Sequence, residues 1–210
     1  MKSAVDILYL SDADIIGVGA HKITYEHPHN KALCIKIAKH ENDIDIKREL
    51  HYRKVLQKKK KNSKLLPSYY GTIETNKGTA HVFECIRDYD NKTSLTLDKY
   101  IEKSISEKSY DEAKEHLMSV LLNLKKEWFT ELLVTSNIEL VNFMVQCKMP
   151  HEACVKIVDN IGTPVLIPLA YHFDFFASRR AIKYWRRFLK ELKSAFPLFF
   201  DHDMINQLNK

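Results

Sequence analysis

With 210 residues and an apolar share of 45%, the chain has enough material for a sizeable core in one domain or two small lobes sharing a cleft, which excludes a disordered protein. No apolar run approaches the ~20 residues that span a bilayer, and the N-terminal stretch with Asp6, Asp12 and Asp14 does not read as a secretory signal, so a cytoplasmic location is expected. A formal charge of +6 suits anionic partners (phosphates, nucleic acid or a membrane surface), while Cys34, Cys85, Cys147 and Cys154 lie in apolar runs without a close pair, as reduced buried thiols do and disulfide or zinc frameworks do not.

In chain order, Ile15 and Ile16 read as the end of a strand. Gly17-Val18-Gly19 follows with the spacing of a loop whose backbone can approach phosphates closely. Lys22 stands where the third glycine of G-x-G-x-x-G would be, so an ordinary hairpin turn remains open. Ile23-Thr24-Tyr25 returns as a strand, closed by the turn His27-Pro28-His29-Asn30. Residues 32–38 form the next strand, and alternation places Cys34, Lys36 and Ala38 on one side. A lysine in such a run either snorkels from an edge strand or takes an anionic partner. Residues 43–60 read as a helix with Ile46, Leu50, Tyr52, Arg53 and Leu56 on one arc and Glu49 inside it. A glutamate so placed pairs with a cation, either Lys36 or Arg53 one turn on. Residues 65–75 and 79–86 then read as two strands joined by the turn Asn76-Lys77-Gly78. The polar connector 87–92 separates an N-terminal lobe, 1–87, from a C-terminal lobe, 88–210.

The second lobe is mostly helical. A short helix starts within 95–101, with Thr96 as a possible cap. From 110 to 129, Leu117, Leu121, Leu124 and Trp128 follow helical spacing, with Val120 and Leu122 widening the stripe. Two apolar runs follow, separated by the turn Met149-Pro150-His151-Glu152. They read as a hairpin with Asn142 at the mouth of its first strand and Asp159 at the exit of its second. A hairpin brings those ends together. An amide oxygen beside a carboxylate offers hard ligands that suit magnesium shared with a nucleotide's phosphates; a surface hairpin with Asn and Asp in its turns is the plainer alternative. Residues 163–169, punctuated by Pro164 and Pro168, read as extended or irregular. A last long helix covers 177–195, with Ile182, Trp185, Leu189 and Leu192 as its apolar stripe and cations around the rest.

The order of these parts is that of nucleotide-dependent phosphoryl transfer in protein kinases: glycine loop, strand lysine, helix glutamate, amide, carboxylate. The chain also resembles the bacterial YrbL family, associated with the PhoP regulatory network and related to the protein-kinase-like fold. The resemblance covers nearly the whole chain. It rests on Gly17-x-Gly19, Leu33-Cys34-Ile35-Lys36-Ile37, Arg48-Glu49-Leu50 and Tyr70-Gly71-Thr72-Ile73-Glu74-Thr75. It continues in Asn142, Val158-Asp159-Asn160-Ile161-Gly162, Leu166-Ile167-Pro168-Leu169-Ala170 and Trp185-Arg186-Arg187-Phe188. It implies an α+β, two-lobed, kinase-like fold, with an antiparallel sheet and one helix in the first lobe and a short helical second lobe. It further implies ATP and Mg2+ as cofactors. Lys36 would bind the α- and β-phosphates, Glu49 would orient it, and Gly17 and Gly19 would lie over the phosphates. Asn142 and Asp159 would hold magnesium. Cys34 would lie over the adenine, and Glu84-Cys85-Ile86 would meet the base edge.

One departure bears on catalysis. Five residues before the metal-binding asparagine, where a kinase carries its aspartate, this chain has Asn137, and Glu139 follows two residues later. An asparagine cannot accept a proton as a carboxylate does. The expectation is an atypical phosphotransferase acting on a hydroxyl of a protein, sugar or lipid headgroup, with Asn137 and Glu139 at the catalytic position. The alternative is a pseudokinase or regulatory binding module without turnover. A nucleic-acid or membrane-surface binder using Lys58 to Lys61 and the last helix ranks third. It lacks a recognisable nucleic-acid motif, and Trp185 lies on the apolar stripe rather than exposed for stacking, so nucleic acid is not the expected partner, while peripheral contact with an anionic surface stays open.

Overall fold

The computed structural model describes residues 7–39, 44–150, 152–164 and 168–210. They form a mixed α+β fold with two antiparallel sheets. By compactness the chain divides into two units. One takes the chain up to Ile44 together with Pro67–Arg87, and the other takes Asp45–Leu66 with Asp88–Lys210. No helix among the described residues is long and apolar enough to cross a membrane.

The first unit is a five-stranded sheet. β1 (Ile15–Val18), β2 (Lys22–Glu26), β3 (Leu33–Ala38), β4 (Tyr69–Thr75) and β5 (Gly78–Glu84) lie in the order β1-β2-β3-β5-β4. β4 and β5 are a tight hairpin. Gly78 adopts φ +101°, a conformation that favours glycine, and its carbonyl accepts the Thr75 hydroxyl at 2.7 Å. One sheet face buries Leu10, Tyr25, Ile35 and Ala80. The other buries Cys34, Phe83 and Cys85, with Tyr69 against them. Beyond β4, the Asn76 side chain holds Leu10 by both polar groups, accepting its N–H at 2.8 Å and donating to its carbonyl at 3.2 Å. Leu8 bridges to Thr75 alongside, so chain covers part of the β4 edge, which would otherwise invite pairing.

Two local expectations change here. Gly17 lies inside β1, opposite Thr24, rather than in the loop, because a register shift between Ile15 and Gly17 carries the pairing further. Lys36 is not on an edge strand. β3 pairs with β2 on one side and β5 on the other, since the β4–β5 hairpin folds back beside it.

The second unit contains the helix α1 (Ile44–Lys58) from Asp45 onward, α2 (Leu97–Glu107), α3 (Tyr110–Glu131), α4 (Leu169–His172), α5 (Asp174–Ala195) and α6 (His202–Asn209). A three-stranded sheet joins them, in which β6 (Leu95–Thr96) and β8 (Glu152–Ile157) flank β7 (Phe143–Met149). α1 ends as Lys60 turns to φ +54°; Asp43, where the sequence starts this helix, lies outside the described residues. Thr96 caps α2 by backbone position only, without a side-chain bond. α3 begins with a reciprocal capping box between Ser109 and Glu112, worth about 1 kcal/mol, and ends at Leu132 in the left-handed region. Its Trp128 stacks on Phe143 at 6.2 Å and meets Trp185 of α5 edge-on at 6.0 Å. Burial of each such ring contributes roughly 1.5–3 kcal/mol. The apolar stripes are narrower than the sequence suggests. Leu122 and Ile182 are exposed, and α5 buries Ala181, Tyr184 and Phe188 instead. His151 and residues 165–167, parts of the expected turn and extended stretch, lie outside the described residues.

Candidate functional site

In the first unit, the β1–β2 connection closes by the Gly19 N–H donating to the Lys22 carbonyl at 2.9 Å. Neither Gly17 nor Gly19 needs to be glycine for local reasons. Neither adopts positive φ, and an added Cβ would meet only ordinary contacts, 3.8 Å from Thr24 and 3.5 Å from Lys22. What these glycines supply is bare backbone. Lys36 is 8% exposed, with its ammonium 4.7 Å from the centre of the Phe83 ring. Cys34 is on the same face, its thiol 3.6 Å from the Glu84 carbonyl. The Cys85 thiol is pushed well above its ordinary range by a hydrogen bond with Cys34 and by burial. The Glu84 carboxylate turns to accept the Ser68 N–H at 2.9 Å, and Ile86 is buried. Lys22 is as buried as Lys36, which sequence reasoning missed by treating it only as a missing glycine.

In the second unit, Asn142 and Asp159 stand on neighbouring strand ends of the hairpin. Phe143 pairs with Ile157 and the Val158 N–H donates to the Asn142 carbonyl at 2.9 Å, so Asp159 is the next residue beyond Asn142's partner. The Asn142 Nδ2 is buried without a hydrogen-bond partner among the described residues. Asp159 is half-buried, and its Oδ1 accepts the Asn160 N–H at 2.7 Å. An amide and a carboxylate on neighbouring strand ends are hard donors of the kind magnesium prefers.

Residues 134–137 belong to the same cluster. The Ser136 N–H donates to the Asn160 carbonyl at 2.8 Å, and the Gly162 N–H donates to the Val134 carbonyl at 2.8 Å. The Thr135 hydroxyl lies 2.7 Å from the Asn160 carbonyl, and Asn160 itself adopts φ +58°. Asn137 and Glu139 are exposed and bonded to each other, the amide Nδ2 donating to the carboxylate at 2.6 Å. The Asn142 N–H donates to the Glu139 carbonyl at 2.9 Å. Backbone and side-chain bonds together place Asn137, Glu139 and Asn142 beside the segment that carries Asp159.

Two residues that the sequence reading passed over fix this cluster. Arg180 of α5 donates from Nε and Nη2 to the Thr135 carbonyl, at 3.2 and 2.9 Å. Tyr184, one turn on, donates to the Ser136 carbonyl at 3.1 Å. The available signal was an arginine and a tyrosine at i, i+4, flanking the apolar stripe. α1 adds a third support. Arg48 donates to the Ile161 carbonyl at 3.3 Å, and the Tyr52 hydroxyl accepts the Val134 N–H at 3.1 Å. Glu49 pairs with Arg53, whose Nε and Nη2 reach Oε1 at 2.9 and 2.7 Å. The Glu49 Oε2 is buried without a hydrogen-bond partner among the described residues.

A family model described as PhoP regulatory network protein YrbL matches residues 8–193. The chain is 32% identical over 195 residues to a protein of Escherichia coli (strain K12) named "Uncharacterized protein YrbL", with 91% of each chain covered. A protein of the same name from Shigella flexneri matches with the same identity and coverage. The chain therefore belongs to the YrbL family of PhoP regulatory network proteins.

Proposed function

We propose that this chain is a protein-kinase-like phosphotransferase that binds ATP with magnesium and acts on a hydroxyl of a protein, sugar or lipid headgroup. The observation that carries the reading is the hydrogen-bonded hairpin mouth, where Asn142 and Asp159 are held on neighbouring strand ends. The Asn142 amide oxygen and the half-buried Asp159 carboxylate are hard oxygen donors of a kind that fits magnesium. Magnesium bound there would neutralise phosphate charge. The chain's own residues do the rest. Lys36 neutralises the α- and β-phosphates, and Glu49 orients it. Gly17 and Gly19 keep side chains away from the backbone over the phosphates, a feature their local conformation does not require. Cys34 and Glu84 to Ile86 take the adenine.

A specific observation favours a second reading, a binding module without turnover. The position of the usual base is Asn137, and the nearest carboxylate, Glu139, is engaged by it. Calorimetric titration with ATP, with and without magnesium, separates both readings from neither. Wild type binds in a magnesium-dependent way, and Asp159→Asn keeps its fold but loses the magnesium dependence. Absence of binding by the wild type would sink both. If Glu49 orients Lys36, alanine substitutions at the two positions are non-additive in melting; additive effects would remove that role.

A further inference from the structure

α5 buries one face in the core of its unit and leaves the other uncovered. Arg179, Lys183, Arg186, Arg187 and Lys190, with Ile182, line a shallow groove of about 430 Å3 along that outer face. No carboxylate is among the lining residues, and none of the five cations forms an ion pair among the described residues. A row of five cations without a direct ion pair carries self-repulsion that an anionic partner would relieve.

The N-terminal end of the same helix is apolar. Phe173, Phe175 and Phe176 are 56%, 63% and 42% exposed. They pack edge to face on one another, Phe173 to Phe176 at 6.2 Å and Phe175 to Phe176 at 5.4 Å. The Arg179 guanidinium lies 5.6 Å from the Phe175 ring and links the aromatic cluster to the basic row. Of the acids on this helix, Asp174 is within 3.8 Å of the Lys59 ammonium, and Glu191 is exposed beside Lys190.

We infer that the outer face of α5 docks on an anionic phospholipid surface, with the phenylalanine cluster entering the acyl boundary and the basic row lying on the headgroups. Charge complementarity selects an anionic partner. The aromatic geometry selects lipid over nucleic acid. Base stacking needs open ring faces presented in succession, whereas these rings occupy one another's faces and edges. Phenylalanine and isoleucine carry no polar tip, and their exposure beside cations matches the composition of interfacial helices. This inference stands apart from the proposed catalysis, because none of its residues holds the Asn142–Asp159 cluster.

The test uses the full chain and sedimentation with vesicles of phosphatidylcholine alone or with one third phosphatidylglycerol. Wild type binds only the anionic vesicles, and binding falls steeply at high salt. A Lys183→Gln, Arg186→Gln, Lys190→Gln variant with an unchanged melting temperature binds ~100-fold more weakly, as follows from the usual contribution of each cation near a charged bilayer. Phe175→Trp reports depth, and its emission is quenched by lipids brominated on the acyl chain. Equal binding to neutral vesicles, charge-variant binding equal to wild type, or no quenching overturns the inference. So does tighter binding to a single-stranded oligonucleotide than to the anionic vesicles.

Discussion

Asn137 and Glu139 share a bond of 2.6 Å, and that bond governs what either can contribute to proton transfer. Asn137→Asp would place a carboxylate where a kinase carries its base, beside Glu139. In an enzyme that lacks only its base, this variant turns over ATP faster by up to ~10²-fold, while nucleotide affinity stays put. Glu139→Gln discriminates, lowering turnover only if Glu139 already serves as base. If parent and variants consume ATP at background with any acceptor, the binding-module reading replaces the enzyme. Cys85 gives a second residue-scale expectation. Its thiol is raised by its bond to Cys34 and by burial, so it stays protonated where an unfolded thiol ionises. Stability from this site is full below the unfolded thiol's pKa and is lost as pH rises beyond it. At pH 8.5, iodoacetamide alkylates Cys85 at least ~10-fold more slowly in the folded chain than in urea. Asn142 and Asp159 were legible because a hairpin relates its two ends by local geometry. Arg180 and Tyr184 were not, because their partners are carbonyls, and backbone acceptors leave no mark in a sequence.

At the scale of elements, the 134–136 and 160–162 segments form a small bridge held from both sides by helices. Gly162 is its tightest point. At φ +88° a side chain is strained, and a Cβ there would come within 2.7 Å of the Tyr171 hydroxyl and 3.2 Å of the Arg48 carbonyl. Gly162→Ala therefore lowers the melting temperature by several degrees, given ~2–4 °C per kcal/mol for a chain of this size. Tyr171→Phe alone loses the bond from the Thr163 N–H, yet in the Gly162→Ala background it relieves the clash. The two substitutions together cost less than their sum, and simple additivity in melting would refute the crowding. The strands and helices were readable from period and turn residues, with ends shifted by a few positions. Three features escaped. The bulge that draws Gly17 into β1, the insertion of β5 beside β3, and the outward turn of Leu122 and Ile182 all depend on pairing or packing far along the chain.

For the whole molecule, compactness groups the segment 45–66 with the residues after Arg87, a grouping that the sequence does not reveal. Local hydrophobic period identifies which face of a helix is buried and says nothing of what buries it. The C-terminal helix α6 lies beyond the family match, yet it buries Met204 and Leu208, and the Leu208 carbonyl accepts the Trp185 indole N–H at 3.2 Å. Truncation after Phe200 strands that buried donor and opens the core, so the shortened chain melts at least ~5 °C lower, with altered Trp185 fluorescence. An unchanged melting curve would mean α6 is dispensable. The helix bearing Glu49 has its own consequence for how the protein is made. Its Tyr52 waits for Val134 and its Arg48 for Ile161, partners 82 and 113 residues downstream. At ~5–20 residues per second, translation leaves the apolar side of that helix uncovered for roughly 4–20 s, long enough to engage a chaperone at the ribosome before its own core arrives.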